Sequence, residues 1–325
     1  MERPQQIADT PCPAVQSVFT ASDGTRLAVH DWPLAQAARA TVLIVHGLGE
    51  HAGRHAALAR RLNAWGYAVR GYDHFGHGQS DGPRGALTSD TRLLDDLAAL
   101  VDATRARQPA GQLLILLGHS MGGLVAARFV ALRLRAVDAL VLSSPALDAG
   151  LDAVQKCLVA TLPRIVPNLR VGNGLDARYL SHDPAVPRAY RADPLCHDRI
   201  SARLARFIAT GGPATVAQAA DWTVPTLLLW AGDDRLVSPA GSRAFAAAAP
   251  ACVQAQCFDA LYHELFNESA ELAAPVFARL RQWLDERCCR LELRIKKPGQ
   301  KPGFVFSFQA KRRGLAGRCC LEAVV

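Results

Sequence analysis

The sequence lacks the features that would place it in several specialised protein classes. Its 325 residues contain no apolar run near the ~18 residues that a membrane-spanning helix needs. The nine cysteines include no C-x-x-C pair, so no zinc site is indicated. The first residues lack the charged-then-apolar pattern of a signal peptide, which predicts a cytoplasmic protein with reduced thiols. With 50% hydrophobic and 20% charged residues, the chain instead has an ordinary globular composition.

Lysine is also scarce, and its placement helps to explain the formal net charge of +8. Four of the five lysines follow residue 295, and residues 288–325 hold nine Lys or Arg against two Glu. The remaining 287 residues are nearly neutral and give no argument for a nucleic-acid partner. We predict that this basic tail is disordered. It either contacts anionic lipid or is an extension without function, which its composition favours.

Short apolar runs alternate with helical patterns along much of the chain. This alternation predicts an α/β protein with a mostly parallel central sheet flanked by helices. Residues 148–222 lack a comparable strand and contain six prolines, which predicts a mostly helical insertion. The predicted strands are 41–46, 67–73, 113–117, 139–142, 226–230 and 253–258, and the longer predicted helices are 55–65, 91–107, 124–134 and 270–287. The predicted boundaries are 1–15 for an N-terminal extension, 16–147 and 223–287 for the core, 148–222 for the insertion and 288–325 for the tail.

A G-x-S-x-G motif at 118–122 lies directly after one predicted strand and before a helix predicted from Leu124. This strand–turn–helix context is that of the nucleophile elbow of the α/β-hydrolase fold. Glycines tolerate the strained backbone of such a turn, and the helix N-terminus offers N–H groups to the reacting centre. A second match at 78–82 is not followed by a helical pattern, so a glycine-rich loop explains it better. Ser120 is therefore the predicted nucleophile.

The orienting acid and then the base follow the nucleophile along the chain in this fold. Nine of the ten histidines precede residue 200, so His263 is the candidate base that would accept the proton of Ser120. The alternative interpretation is that His263 is an ordinary histidine in a surface loop. Asp233 and Asp234 follow the next predicted strand, whereas Asp259 fits a turn better. Position along the chain leaves Asp233 and Asp234 open as the acid.

Residues 46–49 form a loop at the end of the first predicted strand of the alternating pattern. In the elbow fold, one oxyanion N–H comes from this loop and another from the residue after the nucleophile. The predicted donors are therefore the backbone N–H groups of Leu48 and Met121, each worth about 3 to 4 kcal/mol of transition-state stabilisation. The same glycines also suit a simple tight turn, and the two interpretations are compatible.

These motifs together resemble the monoacylglycerol lipase and lysophospholipase branch of the α/β-hydrolases, the serine aminopeptidase-like S33 or Hydrolase_4 family. The resemblance covers about residues 16–287, and its most specific string is H-G-x-G-E-H-x-G-R. The matching stretches are 46–54, 73–80, 118–123, 193–195, 232–235 and 262–265.

The resemblance implies that residues 148–222 form a cap over the active site. It also implies that the catalytic acid is Asp234, the aspartate directly before the arginine. Glu50 and Arg54 would either lie near the polar head of a glycerol ester or form an ion pair that fixes their loop. The tyrosine usual after this arginine is His55 here, which changes the expected head-group contacts.

We therefore predict a serine hydrolase that cleaves carboxylic esters, such as monoacylglycerols or lysophospholipid-like lipids, through an acyl-enzyme on Ser120. The chemistry requires no metal or cofactor. A general carboxylesterase or peroxidase-like esterase of the same fold is the first alternative, because substrate choice depends on the cap. A non-catalytic binding protein is the second, although the ordered Ser, Asp and His argue against it. The oligomeric state and peripheral membrane contact through the cap or the tail stay open.

Overall fold

The computed structural model describes the backbone of residues 14–295 and the side chains up to Cys288, except those of 153, 154 and 156. The strands of this part of the chain are β1 (Val15–Thr20), β2 (Arg26–Trp32), β3 (Ala40–Val45), β4 (Tyr67–Tyr72), β5 (Leu113–His119), β6 (Ala139–Ser143), β7 (Arg170–Gly172), β8 (Arg199–Ser201), β9 (Thr226–Ala231) and β10 (Val253–Phe258). The helices are α1 (Ala56–Ala64), α2 (Arg92–Arg107), α3 (Ser120–Ala131), α4 (Ala153–Ile165), α5 (Ala185–Ala192), α6 (Ala202–Val216), α7 (Pro239–Ala248) and α8 (Ala270–Ile295).

The main sheet has eight strands in the order β1-β2-β4-β3-β5-β6-β9-β10. Strand β2 runs antiparallel to β1 and β4, and the pairs from β4 to β10 are parallel. Every residue of β3, β5, β6 and β9 is buried. Their apolar runs form strands because both faces of a central parallel sheet are covered by helices. The predicted fold class is confirmed, and each of the six predicted strands is present within two residues of its expected bounds.

Two strands and two helix ends differ from the sequence prediction. Strands β1 and β2 were not predicted, and the largely exposed edge strand β1 carries little apolar signal. Helix α3 begins at Ser120 rather than at Leu124, since the glycines after the serine are part of the helix. Helix α8 continues to Ile295 instead of ending at 287, because no proline or glycine occurs between residue 287 and Pro298.

The chain between β6 and β9 forms α4, β7, α5, β8 and α6. Strands β7 and β8 pair antiparallel over three residues each, which corrects the expectation that this segment lacks strands. Strands this short give no usable period in the sequence. Helix α6 packs against α3 and α4, so the segment lies over the end of the sheet where α3 begins.

The predicted extension and tail lie mostly outside the described residues, which exclude 1–13 and 296–325. The backbone of 289–295 belongs to α8. Across residues 14–295, none of the helices combines the length and the apolar character needed to cross a membrane.

Candidate active site

Ser120 stands at the sharp turn between β5 and α3. Its φ of +55° is a left-handed conformation that a serine adopts only under constraint. A Cβ at Gly118 would lie 2.5 Å from the carbonyl oxygen of Gly122, and a Cβ at Gly122 would lie 2.1 Å from that of Val45. The absence of these Cβ atoms lets the turn pack against the end of β3. Ser120 is half-buried there and lines two cavities.

His263 lies in the loop after β10, where its ring contacts the loop after β9. Its Nδ1 donates to Oδ2 of Asp234 at 2.6 Å, and both side chains are buried. The other carboxylate oxygen accepts the backbone N–H groups of Leu236 at 2.9 Å and Val237 at 3.0 Å. Asp234 is thus held in one orientation, and it holds the imidazole with the proton on Nδ1.

Burial disfavours the charged form of both members of this pair, but their mutual attraction outweighs it. The pKa of His263 therefore lies above its ordinary value of 6.5. The pKa of Asp234 lies below its ordinary 3.8, with the N–H groups of Val237 and Leu236 adding to the effect of His263. Asp234 is therefore ionised at neutral pH, and it stabilises the protonated form of the His263 ring.

The structure places the competing sequence candidates elsewhere. Asp233 is 44% exposed and pairs with the arginine that follows Asp234. Asp259 accepts a weak hydrogen bond from the thiol of Cys257. Ser80, from the second G-x-S-x-G match, is buried and donates to the carbonyl oxygen of the loop residue Asp73 at 2.6 Å. Among the candidate carboxylates, it is Asp234 that meets His263.

Leu48 and Met121 line the larger cavity together with Ser120. Met121 is the second residue of α3, so its N–H belongs to the first turn, where N–H groups have no partner within the helix. The preceding N–H in the other loop, that of Gly47, donates to Oε1 of Glu50 at 2.6 Å. The structure thus places Leu48 and Met121, the residues predicted to supply the oxyanion N–H groups, around the cavity of the serine.

Arg54 joins two buried carboxylates beside the serine. Its guanidinium donates to Glu50 at 2.8 Å and to both oxygens of Glu264 at 2.6 and 2.9 Å. Burial would neutralise the two acids, but His55 and Arg54 hold the pKa of Glu50 well below its ordinary value. Arg54 likewise lowers the pKa of Glu264. The ion pair anticipated for Glu50 and Arg54 is present, and the group also lines a small recess with Ser120.

Glu264 and His119 are site residues that the sequence reasoning did not identify. Glu264 directly follows His263, and this adjacency to the candidate base is the sequence signal that could have identified it. The ring of His119, the residue before the serine, lies 4.9 Å from that of His263. Burial and the neighbouring His263 lower the pKa of His119 to about 4, so it is neutral near pH 7.

Two cavities meet at Ser120. The smaller, of about 20 Å³, is the recess lined by Glu50, Arg54, His263 and Glu264. The larger has a volume of about 380 Å³ and extends under α4. Its apolar lining includes Leu151, Leu158, Val159, Leu162, Leu169 and Ile208. The serine therefore has a polar recess on one side and an apolar chamber on the other.

The sequence profile of the serine aminopeptidase S33 family, Hydrolase_4, matches residues 36–270. The chain belongs to this family. It is a hydrolase of carboxylic esters with the α/β-hydrolase fold.

Similar proteins cover most of the length of this hydrolase. It is 36% identical over 255 residues to the monoacylglycerol lipase of Mycolicibacterium smegmatis, which spans 77% of this chain and 90% of that protein. It is 31% identical over 271 residues to the monoglyceride lipase of Homo sapiens, over 82% and 89% of the two chains. The crystal structure of the Paleococcus ferrophilus monoacylglycerol lipase has a TM-score of 0.70 at 30% identity and covers 85% of this chain and 100% of that one.

His51, Asp193 and Cys196 are the one group in the described chain whose side chains suit a metal, with ligand atoms within 4.8 Å of one another. His51 Nε2 and Asp193 Oδ2 already form a hydrogen bond of 2.8 Å. Burial raises the pKa of the Cys196 thiol to about 12. The hydrogen bond between His51 and Asp193 joins the loop after β3 to the segment after α5.

Proposed function

We propose that this hydrolase cleaves fatty-acyl esters of small neutral alcohols, and monoacylglycerols in particular, through an acyl-enzyme on Ser120. The observation that carries the proposal is the pairing of an apolar chamber of about 380 Å³ with a polar recess of about 20 Å³ at one serine. The chamber suits an acyl chain, and the recess, which has room for about one water molecule, offers polar side chains to a hydroxyl of the leaving alcohol. The monoacylglycerol lipases among its relatives support the same substrate class.

In the proposed reaction, Ser120 Oγ attacks the acyl carbon while Nε2 of His263 takes its proton. The carbonyl oxygen becomes an oxyanion that accepts the N–H groups of Leu48 and Met121. His263 then protonates the alcohol oxygen as the C–O bond breaks, which leaves the acyl group on Ser120. Water attacks the acyl-enzyme with His263 again as base, and the fatty acid leaves. Asp234 stabilises the imidazolium in both halves of the reaction.

The charges of the recess favour a neutral head group over a phosphate. The guanidinium of Arg54 is already engaged by Glu50 and Glu264, whose lowered pKa values keep both carboxylates ionised. Counting these three groups alone, two anions face one cation. A phosphoryl group brought there would meet net repulsion and lose its water, which costs free energy. We therefore favour monoacylglycerols over the lysophospholipid-like substrates that the sequence leaves open.

We further propose that residues 148–222 act as a cap whose outer surface contacts lipid. Leu158 and Leu169 line the chamber and yet are 47% and 49% exposed. Ile165 and Val171 lie nearby on α4 and β7 with 78% and 52% exposure. Continuity between an exposed apolar surface and an acyl chamber fits entry of a substrate from a lipid surface. Co-sedimentation with phosphatidylcholine vesicles should fall in an Ile165→Ser variant, and unchanged binding would contradict this contact.

The proposed reaction is tested with two substrates that share one acyl chain. We expect monooleoylglycerol to be hydrolysed at least ~10-fold faster than oleoyl lysophosphatidic acid, because about 1.4 kcal/mol of charge repulsion suffices for that ratio. Replacing Ser120 with alanine should lower kcat by roughly 10⁴ to 10⁶ for both substrates without unfolding the protein. Equal rates would overturn the head-group assignment, and an active Ser120→Ala protein would overturn the mechanism.

A further inference from the structure

Asn173, in the loop that follows β7, brings an amide into the wall of the apolar chamber. Among the described residues that line this chamber, four have polar side chains: Ser120, Gln155, Asn173 and Ser201. Ser120 is the proposed nucleophile. Ser201 is the N-cap of α6, where its Oγ accepts the N–H of Leu204 at 3.2 Å. Gln155 is exposed, and its Oε1 accepts a backbone N–H at the start of α4 at 3.0 Å. These three groups have roles outside substrate selection, which leaves the amide of Asn173 to be explained.

The orientation of this amide is fixed by the hydrogen bonds of the loop. Its Oδ1 accepts the backbone N–H of Leu175 at 3.0 Å, and the N–H of Asn173 itself donates to the carbonyl oxygen of Asp198 at 2.6 Å. A backbone N–H can only donate, so the amide atom that faces Leu175 is the oxygen and the other is the NH₂ group. That nitrogen, Nδ2, is buried and has no acceptor within the described part of the chain. A buried donor without an acceptor costs free energy, which a substrate atom that accepts from it would recover.

The NH₂ group lies beside the turn at 46–49, here called the oxyanion turn because it carries the proposed donor Leu48. Nδ2 of Asn173 is 3.3 Å from the point where a Cβ on Gly49 would stand. Gly49 directly follows Leu48, and consecutive Cα atoms are about 3.8 Å apart. The free donor is therefore at the end of the chamber near the reacting carbonyl, where the first carbons of an acyl chain would lie.

We propose that Asn173 selects esters whose acyl chain carries a hydroxyl or oxo oxygen on one of its first carbons, and that this oxygen accepts a hydrogen bond from Nδ2. The inference rests on the proposed function, in which the acyl chain occupies the chamber, and it names the acyl class of the substrate. An unsubstituted chain offers only CH₂ groups to the amide and leaves its N–H groups unpaired. A site with a buried donor discriminates against a ligand that lacks the acceptor, because the donor has lost its water without a replacement.

The ester carbonyl is the other oxygen that a substrate could present to this amide. In the proposed reaction it accepts the N–H groups of Leu48 and Met121. If Asn173 served the same oxygen, its loss would slow the hydrolysis of every ester by the same factor. If it serves an oxygen on the chain, its loss affects only the esters that carry one. A comparison of substrates therefore distinguishes the two.

Three monoacylglycerols of one chain length provide this comparison: those of dodecanoate, 3-hydroxydodecanoate and 12-hydroxydodecanoate. With the wild-type protein, we expect kcat/KM for the 3-hydroxy ester to exceed that of the other two by about 3- to 10-fold, the gain of one buried hydrogen bond. The 12-hydroxy ester controls for polarity, since it has the same composition with its hydroxyl at the far end of the chain. Equal values for the two hydroxy esters would overturn the proposal, and this test needs no variant.

Replacing Asn173 with leucine removes the donor and keeps a side chain of similar size. In Asn173→Leu the ratio of kcat/KM between the 3-hydroxy and 12-hydroxy esters should fall to about one, because neither hydroxyl then meets a donor. A general defect of folding or of the loop would lower both values and leave their ratio unchanged. Gln155→Leu is the matched control: it removes an amide from the same chamber and should keep the wild-type ratio. A wild-type ratio in Asn173→Leu, or an equal loss for all three esters, would overturn the proposal.

Ser120→Ala separates a failure of this inference from a failure of the proposed function. If hydrolysis of all three esters depends on Ser120 but shows no preference among them, the inference fails and the proposed function stands. Hydrolysis that persists in Ser120→Ala would overturn the proposed function, and the inference would fail with it.

Discussion

Arg54 donates two hydrogen bonds to Glu264, at 2.6 and 2.9 Å, although 210 positions of the chain separate them. Arg54 follows the oxyanion turn, and Glu264 directly follows His263. The pair therefore joins the loop that carries the proposed oxyanion donor to the loop that carries the proposed base. With Glu50 on its other side, the guanidinium holds both loops from inside the protein.

Removing the cation of this group should destabilise the fold strongly. In Arg54→Met, the buried carboxylates of Glu50 and Glu264 lose their shared partner, which we expect to cost about 3 to 5 kcal/mol in the free energy of unfolding. Urea denaturation measures the change, and adding Glu264→Gln should restore part of it. Arg235→Met, which breaks an exposed pair, is the control and should change little. Wild-type stability in Arg54→Met would contradict the role of the buried pair.

Replacing each of the two adjacent aspartates with asparagine separates their functions. Asp234→Asn should lower kcat by about 10⁴-fold, because the amide no longer holds the imidazole tautomer or stabilises its cation. Asp233→Asn should retain the wild-type kcat, since Asp233 pairs with Arg235 on the surface. Steady-state kinetics on one ester substrate compares the two variants. A larger loss in Asp233→Asn would reassign the acid.

The pH dependence of activity follows from the raised pKa of His263. The ring must be neutral to accept the proton of Ser120, so activity is present above this pKa and is lost as the pH falls through it. Because Asp234 raises the pKa above 6.5, the loss should occur at higher pH than for an unperturbed histidine. In Asp234→Asn the acidic limb of kcat/KM should shift to lower pH. An unshifted limb would show that another group controls it.

At the turn that carries Ser120, the backbone packs so closely on Gly122 that no side chain fits there. In Gly122→Ala the new Cβ would lie 2.1 Å from the carbonyl oxygen of Val45 and 2.3 Å from that of His46. We expect a loss of about 2 to 3 kcal/mol in unfolding free energy or a displaced α3, together with lower activity. Gly172→Ala in β7 meets no atom within 4 Å and serves as the control. Equal stability of the two variants would refute the steric argument.

Local sequence was sufficient for the elements whose signals are local. The apolar runs of β3 and β5 predicted buried parallel strands, because strands covered on both faces contain few polar residues. The G-x-S-x-G motif between β5 and α3 singled out Ser120, since its glycines serve the turn in which they stand. Strand β1 at one edge of the sheet escaped prediction, because its exposed residues leave no clear alternation.

The sequence by itself determined the order of the chemical groups: a serine at a strand-to-helix turn, two adjacent aspartates and a late histidine. The tertiary structure decided which aspartate meets His263, because neighbouring side chains point in different directions and a partner 29 positions away selects one. It also decided that Arg54 bonds Glu264. Contacts between residues far apart in the sequence depend on how the sheet brings the loops together, and no local sequence pattern predicts that arrangement.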